Sequence, residues 1–464
     1  MQLIDVATDR TVWSDTYDRD LNDVFTVQAA LAQEITGALK ANLTGGERNL
    51  IAQRPTRNQE AYELYTRART LQLDAGLSGT REQFDAMIAL YEQAVAKDPD
   101  FALAYVQLAV THGFIYFLAE LDPSAARLER MRLAAEAAQR IAPDLPETRL
   151  AMGAYFLQSL DPARALAELS VAEKGLPNDA QVLFAMGAAL AEVGRLTEAL
   201  TYYERSMAVN PSDLATAQLH IQALLMLRRF SAASDIATHY VKRFPESRRF
   251  ALLGIKARFG LSGNRLAALV ALESLPAPTT ENERLTDVYL SASRRGSFAA
   301  AERALANPKL TGIVDEGAIV IEPVSLHLAL LAFAQGRLDR ARAPAEEAIA
   351  ALRHQAWTPR QAPWGEIRVA WGEALAGRSE DALRRAKSTF SALSPNSMDA
   401  LWMRHELGLV YLLTGRKEEA LAILQEMMSD PAWLSPNEIR YDPVWSQLSS
   451  DPRFEKILRS AKTL

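Results

Sequence analysis

Residues 178–211, NDAQVLFAMGAALAEVGRLTEALTYYERSMAVNP, decide the fold. Two runs with apolar residues at helical spacing flank a short break, and three small or rigid residues punctuate them. Gly187 marks a close contact in a first helix, Ala199 one in a second, and Pro211 the stop. Each has a counterpart 34 residues earlier, at Gly153, Ala165 and Pro177, and the following unit repeats the last two at Ala233 and Pro245. The spacing predicts helix hairpins in a stacked array, because proline cannot continue the helix before it and small residues let two axes approach. Gly187 is expected to face Ala199, as Gly408 is expected to face Ala420 near the end of the chain.

A 34-residue helix–turn–helix period with this punctuation resembles the tetratricopeptide repeat (TPR). The rhythm runs from AYELYTRARTLQ at residue 61 to ALWMRHELGLVYLLTGRKEEALAILQEMM at residues 400–428, and about ten units can be counted. The prediction is therefore an all-α TPR superhelical solenoid of about ten hairpins, preceded by a short, incomplete α/β segment. Boundaries are expected at 1–44 for that segment, 45–58 for a linker with two glycines and a proline, 59–431 for the array and 432–464 for a capping tail. Residues 307–323 fit a connection better than a repeat. First helices should line a concave face, as in other solenoids.

Residues 2–20, QLIDVATDRTVWSDTYDRD, read differently. Leu3, Ile4 and Val6 precede a polar turn, and Val12, Trp13 and Tyr17 follow it, which suggests a two-stranded hairpin. An amphipathic helix is expected next, with Val24, Leu31, Ile35 and Leu39 on one face. This stretch resembles the closing hairpin and helix of the TolB-like domain of bacterial multidomain regulators, and the DPRF segment at 451–454 resembles the ending of the same proteins. The resemblance implies an output module upstream, a winged helix or a nucleotide cyclase, so that the chain is a fragment or its start lies late.

Composition narrows the function. Hydrophobic residues make up 49 % and charged ones 23 %, enough for a core, while a net charge of −6 argues against nucleic acid as a partner of this chain. With no cysteine there are no disulfides, thiolate metal sites or cysteine nucleophiles. No apolar run reaches the roughly 20 residues of a membrane helix, and no export signal is visible, so a cytoplasmic location without membrane insertion is expected. Phosphate-binding glycine motifs, HExxH and GxSxG are absent. The six histidines, at 112, 220, 239, 327, 354 and 405, are scattered one to a repeat at most. No catalytic residue, metal site or cofactor is expected.

What remains is protein or peptide binding in the groove. Four of the seven tryptophans fall at 357, 364, 371 and 402. In the repeat register Trp364, Trp371, Trp402 and His405 fall on the concave side of first helices; as groove anchors they would hold a partner, and as core they would pack between repeats. The TPR type that clamps a peptide carboxylate uses lysine and asparagine, whereas the central first helices offer Gln181, Gln218 and Gln222. Gln218 and Gln222 are kept as neutral groove candidates. Arg228, Arg229, Lys242, Arg243, Arg248 and Arg249 form a basic set that could attract an acidic partner or solubilise helix ends. The expected function is a non-catalytic interaction scaffold within a bacterial signalling or transcriptional regulator. The alternative is the regulatory region of an adenylate or guanylate cyclase whose catalytic domain lies upstream.

Overall fold

The computed structural model describes residues 2–5, 10–14, 31, 34–37, 55–75, 80–117, 122–278, 280–313, 320–395 and 397–464. Strand β1 (Gln2–Asp5) pairs antiparallel with β2 (Arg10–Ser14), with Leu3 opposite Trp13, so the expected hairpin forms. Of the helix expected after it, residues 31 and 34–37 are helical and the rest lies outside the described residues, as does most of the linker.

Twenty helices then pair into ten hairpins among the described residues. The first three are α1 (Gln59–Ala75) with α2 (Arg81–Lys97), α3 (Ala102–Phe117) with α4 (Ala125–Ile141), and α5 (Pro146–Gln158) with α6 (Pro162–Gly175). The central three are α7 (Ala180–Glu192) with α8 (Leu196–Val209), α9 (Leu214–Met226) with α10 (Phe230–Arg243), and α11 (Arg248–Ser262) with α12 (Arg265–Glu273). Two more, α13 (Glu281–Arg294) with α14 (Phe298–Leu305) and α15 (Val324–Ala334) with α16 (Leu338–His354), flank a connection in which Ile313 and Glu322 form one antiparallel bridge. The last two are α17 (Ala362–Leu375) with α18 (Ser379–Ser391) and α19 (Met398–Leu413) with α20 (Lys417–Ser429). Helix α21 (Pro436–Tyr441), a 3-10 turn (Trp445–Leu448) and α22 (Pro452–Arg459) follow, burying Trp445, Leu448, Phe454 and Leu458.

The two helices of a hairpin are built differently. In α7 the buried residues Val182, Leu183, Ala185, Met186, Gly187, Ala189 and Leu190 cover nearly the whole circumference, because a first helix lies between its partner and the neighbouring hairpins. In α8 the buried set Leu196, Ala199, Leu200, Tyr203 and Ser206 follows one stripe, leaving the other side to solvent. Asp179 caps α7 by accepting hydrogen bonds from the amides of Gln181 and Val182 at 2.9 and 3.0 Å. Pro177, Pro211 and Pro245 lie just beyond the ends of α6, α8 and α10, where they stop the helix.

Between α7 and α8 the chain turns at Gly194, with φ +76°, and the amide of Arg195 bonds the Leu190 carbonyl at 2.9 Å. This left-handed helix ending recurs at Gly296, Gly336, Gly377 and Gly415. Leu160 and Arg228 occupy the same slot with φ +61° and +55° although neither is glycine.

The small residues lie at close contacts, with partners one turn beyond the expected alanine at Gly187 and Gly153, and in the C-terminal segment at Gly408. A Cβ built on Gly187 would come within 2.5 Å of the Tyr203 ring, one on Gly153 within 2.6 Å of Leu169, and one on Gly408 within 2.5 Å of Trp445. The alanines expected opposite, Ala199, Ala165 and Ala420, are fully buried nearby, and so is Ala233. A larger side chain thus lies nearest each glycine, and at Gly153 the Ala165 carbonyl follows at 3.4 Å. Gly187→Leu should therefore cost about 1–3 kcal/mol or more through overpacking, read as a lowered midpoint in denaturant unfolding followed by circular dichroism. An unchanged midpoint would show that the Tyr203 ring can move aside freely.

Candidate interaction surface: an array closed on itself

The inner surface of the array is where a solenoid presents a groove, and here the chain's own end packs against its central hairpins. Leu401 on α19 joins the buried apolar cluster of α7–α11, with Trp402, Trp433 and Leu464 packed against it. Trp402 Nε1 points at Met226 Sδ, 3.4 Å away. The amide of Ala432 bonds the Met226 carbonyl at 3.1 Å, and the amide of Leu464 bonds that of Leu227 at 3.0 Å. On α11, Lys256 pairs with Glu438 at 2.5 Å and lies 4.4 Å over the Trp433 ring. Nearer the centre Arg360, from the loop before α17, pairs with Glu192 at 2.7 Å and lies over Phe117.

Arg228 is the hub of this closure. Its side chain is buried, at 4 % exposure, and donates to four main-chain carbonyls some 200 residues away. Nη1 reaches Met427 at 3.2 Å, Nη2 reaches Met428 and Asp430 at 2.9 Å each, and Nε reaches Lys462 at 2.7 Å. Met427 and Met428 lie in the last turn of α20, whose carbonyls have no partner within the helix, so the guanidinium caps that end and meets its negative dipole. Arg229 Nε donates to the Leu464 oxygen at 2.8 Å. These two arginines hold the chain's own backbone, which neither an acidic partner nor surface solubility anticipates.

The aromatic candidates do converge, but under cover. Trp364 and Trp371 are buried at 5 and 7 % exposure, and Trp402 and His405 are half-buried. The rings of Trp364 and Trp402 meet edge to face at 6.1 Å, and Trp402 continues to Trp433 at 5.3 Å. Trp364 Nε1 donates to Asp399, whose carboxyl burial pushes up in pKa. Trp371 donates to the Glu406 carbonyl at 3.4 Å under the Arg368 guanidinium. Trp357 is half-buried, set so close to Gly365 that a Cβ there would touch its ring. Of the two readings open for these side chains, groove or core, their burial accords with core: the superhelix turns tightly enough for the last repeats to reach the central ones. Gln218 is buried and accepts from Arg249 at 3.0 Å, and Gln222 is half-buried one turn on.

A buried polar chain runs through the late first helices. Tyr289 on α13 meets His327 Nδ1 at 3.0 Å, and His327 Nε2 meets Glu322 at 2.7 Å. Arg368 bridges Glu322 and Glu406, and His405 Nδ1 lies 3.4 Å from the other Glu406 oxygen. Burial alone would raise the carboxyl pKa values, but Arg368 and the histidines outweigh it, bringing Glu322 down to about 2 and lowering Glu406. The sequence carried a signal for this chain. His327, Arg368 and Glu406 each stand nine residues before a turn glycine (336, 377 and 415), where the central unit has Ala185 before Gly194. Glu322 lies in the stretch read as a mere connection.

Two other histidines are isolated. His112 is 2 % exposed beside Arg127, and burial, then Arg127 and Arg130, push its pKa down to about 4. His220 is 4 % exposed, and burial takes it to about 4 as well. Both bind their proton less readily folded than unfolded, so their contribution to stability is present above about pH 6.5 and lost on acidification toward pH 4. Each should cost on the order of 1–2 kcal/mol at pH 5. Denaturant midpoints at pH 7 and 5 should fall less in His112→Gln and His220→Gln than in the unmodified chain. Among the described residues no group of three or more potential ligands could hold a metal, and no helix is long and apolar enough to cross a membrane.

Residues 180–213, the α7–α8 hairpin with its flanking turn, match the profile of the tetratricopeptide repeat. The chain folds as an all-α solenoid of helix hairpins, and the hairpin at its centre is a tetratricopeptide repeat. Over 114 residues it is 32 % identical to a Rhizobium meliloti protein named "Putative adenylate cyclase 3"; the match takes in 24 % of this chain and 18 % of that protein. Among solved structures it is similar to the pilF protein of Pseudomonas aeruginosa, at 16 % identity and a TM-score of 0.35, over 44 % of this chain and 88 % of that one. A tetratricopeptide repeat protein of Parabacteroides merdae matches at 10 % identity and a TM-score of 0.36, over 68 % and 99 %. Both structural likenesses are loose in overall shape.

Proposed function

We propose that this chain is a non-catalytic protein-interaction scaffold, the sensory or interaction part of a bacterial signalling regulator. The observation that carries this reading is the stack of ten helix hairpins with a tetratricopeptide repeat at its centre, an architecture whose use is to present surface to other proteins. Its cluster of buried charges is engaged in pairing within the chain, which suits a scaffold better than a reactive centre. Because the chain's end occupies the inner face at the central hairpins, a partner binds outside it or on repeats it leaves free. Cross-linking in cells followed by mass spectrometry should recover a small, reproducible set of proteins joined to the array. Formation of cyclic nucleotide by the purified chain from ATP or GTP would overturn the non-catalytic reading.

A second reading is supported by the similarity to a protein named as an adenylate cyclase. On it, the array is the regulatory region of a nucleotide cyclase. Sequencing the reading frame upstream of Met1 separates the two: a cyclase domain in frame favours the second, and a DNA-binding or other output domain favours the first.

A further inference from the structure

The hairpin α11–α12 departs from its neighbours. Where α8 buries five residues along its stripe and α10 buries Ala233, Ala237 and Tyr240, α12 buries none. It has nine residues against the 14 of α8 and α10, carries Leu272 in the register of Tyr203 and no tyrosine, and lines its side of α11 with Ala267, Ala268 and Ala271. Side chains that small leave space. Two adjoining depressions, of about 290 and 420 Å³, run across α11 from α10 to α12, with Ile255, Arg258 and Ala271 common to both.

Their chemistry is one-sided. The walls are apolar, from Ile255, Phe259 and Leu261, and Leu261 stands 63 % exposed. Arg258 and Lys242 are the charged residues of the lining, and it contains no carboxylate. Both cations are exposed, and among the described residues neither has a side-chain ion-pair partner. Of the other cations of this region, Arg248 pairs with Asp287, Lys256 with Glu438 and Arg295 with Glu273, while Arg243, Arg249 and Arg265 donate to Ser212, Gln218 and the Arg294 carbonyl. An apolar furrow edged by two unpaired cations complements a helix with a leucine stripe bordered by carboxylates, which would supply α12 with the burial it lacks.

We propose that the furrow between α10, α11 and α12 is a docking site for an acidic amphipathic helix of a partner protein. The proposal rests on the scaffold reading and adds to it the partner's chemistry and its place of binding. The closing contacts at Met226, Arg228 and Lys256 involve no residue of the lining; at the far end of α11 Tyr441 lies 6.1 Å from the Phe259 ring and Asn437 bonds the Phe259 and Gly260 carbonyls, so the partner helix would lie beside α21.

The test uses two fluorescein-labelled synthetic peptides that share one leucine stripe, flanked by glutamates in one and by lysines in the other. Fluorescence anisotropy with the full chain should show the glutamate peptide binding at least about tenfold more tightly, with an affinity that weakens with added salt. Lys242→Glu with Arg258→Glu should reverse the preference, and Ala271→Trp should abolish binding of both by filling the floor. Lys242 and Arg258 are exposed, so circular dichroism should report an unchanged fold for the double variant. Equal binding of the two peptides, binding of neither, or a glutamate peptide retained by the double variant would each overturn the furrow. The last of these would leave the scaffold reading standing. Concentration-dependent dimerisation lost in Ala271→Trp would identify a second copy as the occupant, and would also overturn the proposal.

Discussion

Arg228→Ala should cost about 3–5 kcal/mol and detach the last repeats from the middle of the array. A buried guanidinium that loses its place leaves carbonyls at Met427, Met428, Asp430 and Lys462 without their donor, and each such charge-assisted bond is worth about 1.5–3 kcal/mol in isolation. The sum is smaller than four such bonds because part of the freed backbone can find water. Position 228 also carries a backbone cost. Its φ of +55° lies in the left-handed region that the equivalent turns fill with Gly194, Gly336, Gly377 and Gly415, and a side chain there is unfavourable by about 1–2 kcal/mol. That strain separates the two effects. Arg228→Gly removes the cap and relieves the backbone, so it should be about 1 kcal/mol less damaging than Arg228→Ala. Hydrogen exchange should show the loss concentrated in 417–464 and in the facing residues 214–230, while α1–α6 keep their protection. Equal exchange in all repeats would mean that the cap is not what holds the end in place.

The repeat class was legible because its determinants are local. Gly187, Tyr203 and the turn at Gly194 lie within 17 residues of one another, and a period of 34 makes each reading a check on the next. Closure was not legible, since it depends on small rotations added over many hairpins, and no pattern in residues 214–230 announces Met427 or Leu464. Arg228 itself could have been noticed: it sits 34 residues after Gly194 in a slot where glycine is the usual occupant. The same limit applies to the tryptophans. Register placed Trp364 and Trp402 on one rung, 13 residues before Gly377 and Gly415, and the rings do touch. Whether that rung faces water is decided by what folds over it.

Arg368→Met should be as damaging as the loss of Arg228, and its pH dependence should run opposite to that of the unmodified chain. Arg368 stands between Glu322 and Glu406, all three buried at 8 % exposure. Removing the cation alone leaves two carboxylates in a poorly solvated site, at a cost of about 3–5 kcal/mol at neutral pH. In the unmodified chain Glu322 has its pKa lowered to about 2, so its contribution is present above the unfolded value near 4.5 and is lost as pH falls from there toward 2. Without Arg368 the same burial raises both carboxyl pKa values above the unfolded one, and protonation then relieves the site. The gap between variant and unmodified chain should therefore narrow between pH 7 and pH 5, measured as denaturant midpoints. Glu322→Leu with Arg368→Met and Glu406→Leu removes the three charges of the bridge together and should restore most of the stability, because a buried ion pair gains little over well-packed apolar side chains. His327 keeps Tyr289 as a partner in that triple variant. Should the triple change prove as damaging as Arg368→Met alone, the network would be holding the late first helices in register, a role that apolar packing cannot replace.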